Sequence, residues 1–187
     1  MPLALPGSIE TSRLQVRALA ETDLPALMKV NGDDVVTRFL PYATWGSMED
    51  ARAWFKRMTD FQASGNALQF VVVHKGTSSA IGTCLLFRFE EANGQAELGF
   101  VLGREHWGAG YMREALDALI DKAFTAMPIR RLEAVADSRN TSSTQLLRRL
   151  GFVKEGLLRE RWLDDGITAD AEVHGLLRRE WRTGPAR

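Results

Sequence analysis

The hydrophobic pattern changes period in the middle of the chain, and that change limits the fold more than any other feature. ALQFVVVH (residues 67–74) and AIGTCLLFRF (80–89) are dense apolar runs rich in β-branched and aromatic residues, and QAELGFVL (95–102) is a third. Runs of this length and type read as strands. Asn93-Gly94 separates the second from the third. Both residues tolerate the positive φ of a type I′ turn, so the pair predicts a tight hairpin. A glycine loop, EHWGAGY (105–111), follows, and then Met112, Ala115, Leu116, Leu119, Ile120 and Ala123 recur at helical spacing. An antiparallel three-stranded meander feeding an amphipathic helix must bury that helix on one face of the sheet, which is a mixed α/β architecture.

The flanks extend the same plan. SRLQVRA (12–18) alternates as a half-buried strand does. Asp23 is placed to cap a helix carrying Leu24, Leu27 and Met28, with Pro25 in its first turn. Ser47 and Asp50 have capping-box spacing ahead of Ala51, Trp54, Phe55, Met58 and Phe61, and VTRFLPYATWGS between the two helices is turn-rich. On the other side RRLEAVAD (130–137) predicts a buried strand. Asn140 caps a short helix with Leu146, Leu147 and Leu150 inward, and Gly151 stops it in the left-handed conformation. FVKEG and DAEVHGLL supply two final strands. The expected order is βααβββαβαββ: one α/β (mixed α+β) domain over residues 9–181, its central, mostly antiparallel, twisted sheet flanked by helices. Residues 1–8 and 182–187 are expected to be loose termini.

Composition excludes several classes. At 187 residues, 45% of them apolar and 26% charged, the chain is one ordinary globular domain and not a disordered or low-complexity one. Lys+Arg 24 balances Asp+Glu 24, so no global field selects nucleic acid or an anionic membrane. Cys84 stands alone, which leaves no intramolecular disulfide and no cysteine-rich zinc site, and His74, His106 and His174 lack metal-ligand spacing. MPLALPGSIETSR has neither a basic n-region nor a long apolar run. No apolar stretch reaches the roughly eighteen residues of a membrane span. A cytoplasmic protein with no metal, nucleic-acid or membrane partner is expected.

The glycine loop carries the chemistry. Trp107-Gly108-Ala109-Gly110-Tyr111 joins a strand ending near Leu102 to the amphipathic helix. Such a junction exposes unpaired N–H groups with the positive end of the helix dipole behind them. Glycines let the backbone approach a ligand closely, so the fitting group is an anion such as a phosphate or pyrophosphate. A plain tight turn is the competing reading of the loop alone. A P-loop is excluded because Tyr111-Met112, not Lys-Ser/Thr, follows Gly110. A dinucleotide fingerprint is excluded because position 113 is arginine and the strands before it are antiparallel.

Five colinear segments carry a resemblance. WGAGYMREAL resembles the acetyl-CoA pyrophosphate loop of the GNAT superfamily of N-acetyltransferases. NTSSTQLLRRLGFVKEG resembles the second half of that signature in the RimJ/RimL-type branch, whose pattern is Asn-x-x-Ser, a short helix, Gly-Phe and Glu-Gly. ETSRLQVRALAETDLPAL, RFLPYATWGSMEDARAWF and QAELGFVL are similar to that branch's opening strand and helix, its first connection and its Glu-x-Gly-Phe/Tyr strand. Together they cover about residues 9–181 in order. Two positions depart from the superfamily. Glu105 stands where its loop begins with Gln or Arg, and Leu147 stands where many members place a tyrosine general acid. A leucine cannot donate a proton, so another acid must serve.

The resemblance implies an acetyltransferase that uses acetyl-CoA as co-substrate, with no metal. Trp107, Gly108, Ala109, Gly110 and Tyr111 would hold its pyrophosphate, and the backbone of Phe100, Val101 and Leu102 would pair with the pantetheine arm. The alternative for the last three is an ordinary central strand with both edges paired. Asn140 would cap its helix and also meet the arm. Glu97 is the implied general base, acting through water, against the bland reading of a solvated carboxylate near the hairpin. Ser143 is the implied acid, in a first helical turn whose amide dipoles favour a developing thiolate. Without the resemblance it is a helix-start serine.

Other polar and aromatic residues have plainer readings. Cys84 reads as a small core residue and His106 as loop packing. Trp45, Trp54 and Trp162 are core aromatics or the lining of an acceptor groove. Asp33, Asp34, Glu49 and Asp50 either cap helices or attract a cationic acceptor. The expected acceptor is a primary amine, first a protein N-terminal α-amine as in RimJ/RimL-type enzymes, second a small amine such as a polyamine, amino sugar or antibiotic. A non-catalytic acetyl-CoA-binding module is the alternative of a different class. The working unit is expected to be a monomer or homodimer.

Overall fold

Strand pairing follows the period-two runs. The computed structural model describes residues 7–65, 67–164 and 166–181. Eight strands form one sheet: β1 (Ile9–Glu10), β2 (Leu14–Ala18), β3 (Ala67–His74), β4 (Ser79–Glu90), β5 (Gln95–Leu102), β6 (Arg131–Asp137), β7 (Val153–Asp164) and β8 (Ile167–Leu177). Their spatial order is β1-β2-β3-β4-β5-β6-β8-β7, and every neighbouring pair is antiparallel except β5 with β6. The helices are α1 (Leu24–Asn31), α2 (Asp34–Thr37), α3 (Met48–Ala63), α4 (Tyr111–Ala126) and α5 (Thr141–Arg149).

Two apolar layers sandwich the sheet. The stripe expected on α4, from Met112 to Ala123, is buried against Leu14, Phe70, Leu98 and Leu132, together with Leu147 and Leu150 from the α5 segment. Leu24, Leu27 and Val30 of α1 and Ala51 and Trp54 of α3 cover the opposite face over Val71, Val73, Ala80 and Val101. Leu98 and Val101 of β5 thus serve different layers, as alternation along a strand requires. The helix signals act as expected at two sites. Ser47 Oγ accepts from the Glu49 and Asp50 N–H groups while the Asp50 carboxylate accepts from the Ser47 N–H. Asn140 Oδ1 accepts from the Ser143 N–H at 3.1 Å, and Gly151 closes α5 with φ 92°.

Four local expectations are corrected. The observed order is ββαααβββαβαββ, with β1 and α2 added; they are 2 and 4 residues long, too short to show either period. Asn93-Gly94 does not form a type I′ turn, because Glu90 pairs with Gln95 across a longer loop in which Gly94 alone is left-handed, φ 57°. Tertiary bonds decide this: Gly94 O accepts from the Arg130 and Arg131 N–H groups, and Asn93 O from Arg130 Nε. Asp23 does not cap α1 with its side chain; its carboxylate takes the Ala20 N–H and both terminal nitrogens of Arg17, a charge-assisted alternative. The last two strands reach beyond 152–156 and 170–177 and continue as a ribbon to Asp164 and Ile167. Residues 1–6 and 182–187 of the expected loose termini lie outside the described residues.

Candidate functional site

Parallel pairing between β5 and β6 holds only at Gln95–Arg131, Ala96–Leu132 and Glu97–Glu133. Beyond that point β5 continues along β4 to Leu102, while β6 continues along β8 to Asp137. A wedge therefore opens between two strands that start side by side. The Gly103 N–H bonds to Ile81 O. Alternate residues of an antiparallel strand face the partner, so Val101 turns its backbone to β4, and Phe100 and Leu102 turn theirs to the wedge. The Leu102 carbonyl there accepts from Trp107 Nε1 at 2.7 Å. The Phe100 N–H and C=O and the Leu102 N–H face the opening without that cover.

Both strands run toward the wide end of the wedge, and each leads into a helix that starts there: β5 through the glycine loop into α4, β6 through a short turn into α5. Two helix N-termini therefore flank the opening, and both favour negative charge. In the loop Gly108 and Gly110 are left-handed, with φ 74° and 78°. A Cβ on Gly108 would meet nothing within 4 Å, and one on Gly110 would meet only Arg13 Nη2, at 3.6 Å. The backbone conformation requires these glycines, while the space in front of them is open. Among the described residues the N–H groups of Gly108 to Arg113 donate to no backbone carbonyl. Left-handed glycines, open space and free N–H groups give the loop the geometry that an anion cradle requires.

Glu97 lies where β5 and β6 part. Its side chain is 13% exposed, and Oε2 accepts from Arg88 Nη1 at 2.7 Å. Arg88 is left-handed, φ 50°, in the irregularity where β4 shifts register against β5. Burial pushes the Glu97 carboxyl above its ordinary value; Arg88 and Arg161 oppose the shift and Glu133 reinforces it. The net direction is upward, which makes Glu97 a stronger base than a solvated carboxylate. Ser143 stands half-buried in the first turn of α5, the helix that follows β6. Leu147, one helical turn on, is buried in the core and offers no proton.

The remaining candidates separate clearly. Cys84 is fully buried and its thiol is pushed up by desolvation. His106 packs edge-on to Tyr111. Trp45 and Trp54 are core, with ring centroids 5.3 Å apart, whereas Trp162 is exposed on β7. Asp33 caps α2 and Asp50 is consumed by its capping box; Asp34 and Glu49 sit in first turns. Phe39 bridges Arg38 and Arg139, at 5.3 and 5.9 Å, and so carries the connection ahead of α3 to the end of β6. The sequence reading missed Arg13 and Glu114, which hold the glycine loop. They lie about a hundred positions apart, so no local pattern joins them.

Among the described residues no cluster of His, Cys, Asp or Glu could hold a metal, and no helix is long and apolar enough to cross a membrane. A family model described as an acetyltransferase (GNAT) domain matches residues 13–153. The chain is 36% identical over 174 residues to a Bacillus licheniformis protein named as an uncharacterized N-acetyltransferase, p20, covering 93% of this chain and 98% of that one. It is 28% identical to the Escherichia coli [ribosomal protein uS5]-alanine N-acetyltransferase, covering 94% and 93%. It is 25% identical to the spermidine N(1)-acetyltransferase of Vibrio cholerae, covering 86% and 91%. A crystal structure of a Vibrio cholerae spermidine N-acetyltransferase with CoA and spermine superposes with TM-score 0.80 at 21% identity, covering 92% of this chain and all of that one.

Proposed function

The chain belongs to the GNAT family of N-acetyltransferases, and from that premise we propose that it moves the acetyl group of acetyl-CoA directly to the N-terminal α-amine of a protein. The observation that carries this reading is the wedge beyond Glu97–Glu133, with free strand backbone on one wall and two helix N-termini at its wide end. In this reading the unpaired N–H groups from Gly108 to Tyr111 hold the pyrophosphate, and Trp107, whose N–H is bonded to Arg104 O and whose indole is bonded to Leu102 O, braces the start of the loop. The Phe100 backbone pairs with the pantetheine amides as a neighbouring strand would, and Asn140 meets the same arm while capping α5. Val101 contributes through its place in β5, since its backbone faces β4.

Glu97 removes a proton from the amine, through water, as the nitrogen–carbon bond forms and the carbon–sulfur bond breaks. The Ser143 hydroxyl gives a proton to the leaving thiolate and recovers one from solvent, so the charge developed on sulfur is met at the start of α5. A protein α-amine has a pKa near 8 and lysine one near 10.4, a gap of roughly 2.5 units or about 3.4 kcal/mol. A single carboxylate whose pKa is raised suits the first amine far better than the second.

Around the wedge Arg88 is paired with Glu97 and Arg139 with Asp137, and Asp33 and Asp50 are spent as caps, so the choice of a peptide α-amine rests on the amine pKa and on the ribosomal-protein-acetylating relative. A small amine is the second reading, favoured by the spermidine-acetylating relative. The proposed setting is the cytoplasm, with a monomer or homodimer as the working unit. Thiol release from acetyl-CoA across a panel of peptides and small amines tests the choice. Turnover should be fastest with a peptide α-amine, and faster turnover with spermidine or an amino sugar would reverse the order.

A further inference from the structure

We infer that Arg13 is a positioning residue for the glycine loop: it fixes the Ala109–Gly110 peptide so that the loop's N–H groups are preset for the pyrophosphate. The inference rests on the reading of that loop as the pyrophosphate site. Arg13 stands in the turn between β1 and β2, far from the loop in sequence. Its Nη1 donates to Ala109 O at 2.9 Å, and its guanidinium lies 4.4 Å from the centre of the Tyr111 ring. In a trans peptide C=O and N–H point in opposite directions. Holding Ala109 O toward Arg13 therefore turns the Gly110 N–H away from it, to the open side of the loop.

Glu114 in turn fixes Arg13. Its Oε2 accepts from Arg13 Nε at 2.6 Å, and its Oε1 accepts from Thr11 Oγ1, Ser12 Oγ and the Arg13 N–H at 2.6, 3.0 and 2.9 Å. The Glu114 N–H donates to Gly110 O at 3.0 Å, so one residue ties the β1–β2 turn to both ends of the arrangement. The far edge of Tyr111 is held by His74, whose Nε2 lies 3.3 Å from the phenol oxygen. Because the Glu114 carboxylate neutralises it, Arg13 acts as a rigid fork and not as a free charge for the ligand. Lysine has the charge without the fork and cannot reach both acceptors in one plane.

The test compares dissociation constants for CoA and for pantetheine, which lacks the pyrophosphate, in the full chain and in Arg13→Lys and Glu114→Gln variants. Loss of one preset charge-assisted contact should weaken CoA about tenfold in both variants while leaving pantetheine within twofold. Unchanged CoA affinity in either folded variant overturns the inference, as does parallel weakening of both ligands, which would mark a merely structural role. If the unaltered protein binds CoA no better than pantetheine, the loop is not a pyrophosphate site, and the inference falls with that reading. Unfolding temperatures without ligand confirm that the variants compared are folded.

Discussion

Arg88 donates to Glu97 at 2.7 Å, yet the Glu97 carboxyl is raised above its ordinary value, because burial outweighs a partner that is itself 63% exposed. An ion pair with one end in water contributes about 0–1 kcal/mol. The acidic limb of the kcat/KM profile should therefore lie above that of an unperturbed glutamate, and Arg88→Met should move it further up by less than about one pH unit. A limb that moves down would mean that Glu97 does not titrate as described.

The same shift has a stability consequence. A carboxyl whose folded pKa is raised contributes stability below its unfolded pKa and loses it as pH rises through the folded value. Ionised Glu97 thus costs stability, and Glu97→Gln should be more stabilising at about pH 8 than at about pH 4. Thermal unfolding at the two pH values checks the sign.

Glu97→Gln and Ser143→Ala should separate chemistry from binding. Both changes are nearly isosteric, so affinity for acetyl-CoA should stay within a few fold. Loss of a positioned base or acid costs about 10²–10⁴ in rate. The Glu97 variant should recover partly at high pH, where more of the amine is already neutral, and the Ser143 variant should not. Wild-type rates in both variants would contradict the assignment of base and acid.

Much of this site is legible in the sequence because its parts are local. The strand–glycine loop–helix junction at 102–111 and the Asn140 cap lie within single turns of chain, where spacing and φ preference act directly. The wedge is another matter. Glu97 leads an apolar strand, but nothing nearby in sequence says that β6 leaves it after Glu133. Arg13 and Glu114 escape notice for the same reason, since their bond is set by packing of β2 against α4. Asn93-Gly94 shows the converse: its local preference is strong, and contacts from Arg130 override it.

Acetyl-CoA should raise the unfolding temperature, since it binds the folded state alone; at about a hundred times its Kd the gain is roughly 2.7 kcal/mol. Gly110→Val should remove most of that gain. A Cβ fits at Gly110, but a β-branched residue at φ 78° is strained, so the loop must leave the conformation that presents its N–H groups. A retained shift would show that the loop does not bind the cofactor.

The Glu114 network should lose its stabilising contribution only in strong acid. Burial alone would raise the Glu114 carboxyl, but the Thr11 hydroxyl, the Arg13 N–H and guanidinium and the Ser12 hydroxyl bring it down to about 2. A depressed pKa contributes stability above the unfolded value and loses it as pH falls toward the folded one. The stability difference between the wild type and Glu114→Gln should therefore shrink from about pH 4.5 to about pH 2. A difference that does not change with pH over that interval would contradict the network.

Direct transfer to an α-amine is tested most plainly by mass balance in a single reaction. The protein is mixed with acetyl-CoA and an unblocked peptide, and thiol, acetylated peptide and acetylated protein are counted together by mass spectrometry and thiol titration. The expected result is one acetyl group on the peptide α-amine for each thiol released and none retained on the protein. Thiol release without acetylated peptide, or an acetyl group held on the chain itself, would contradict it.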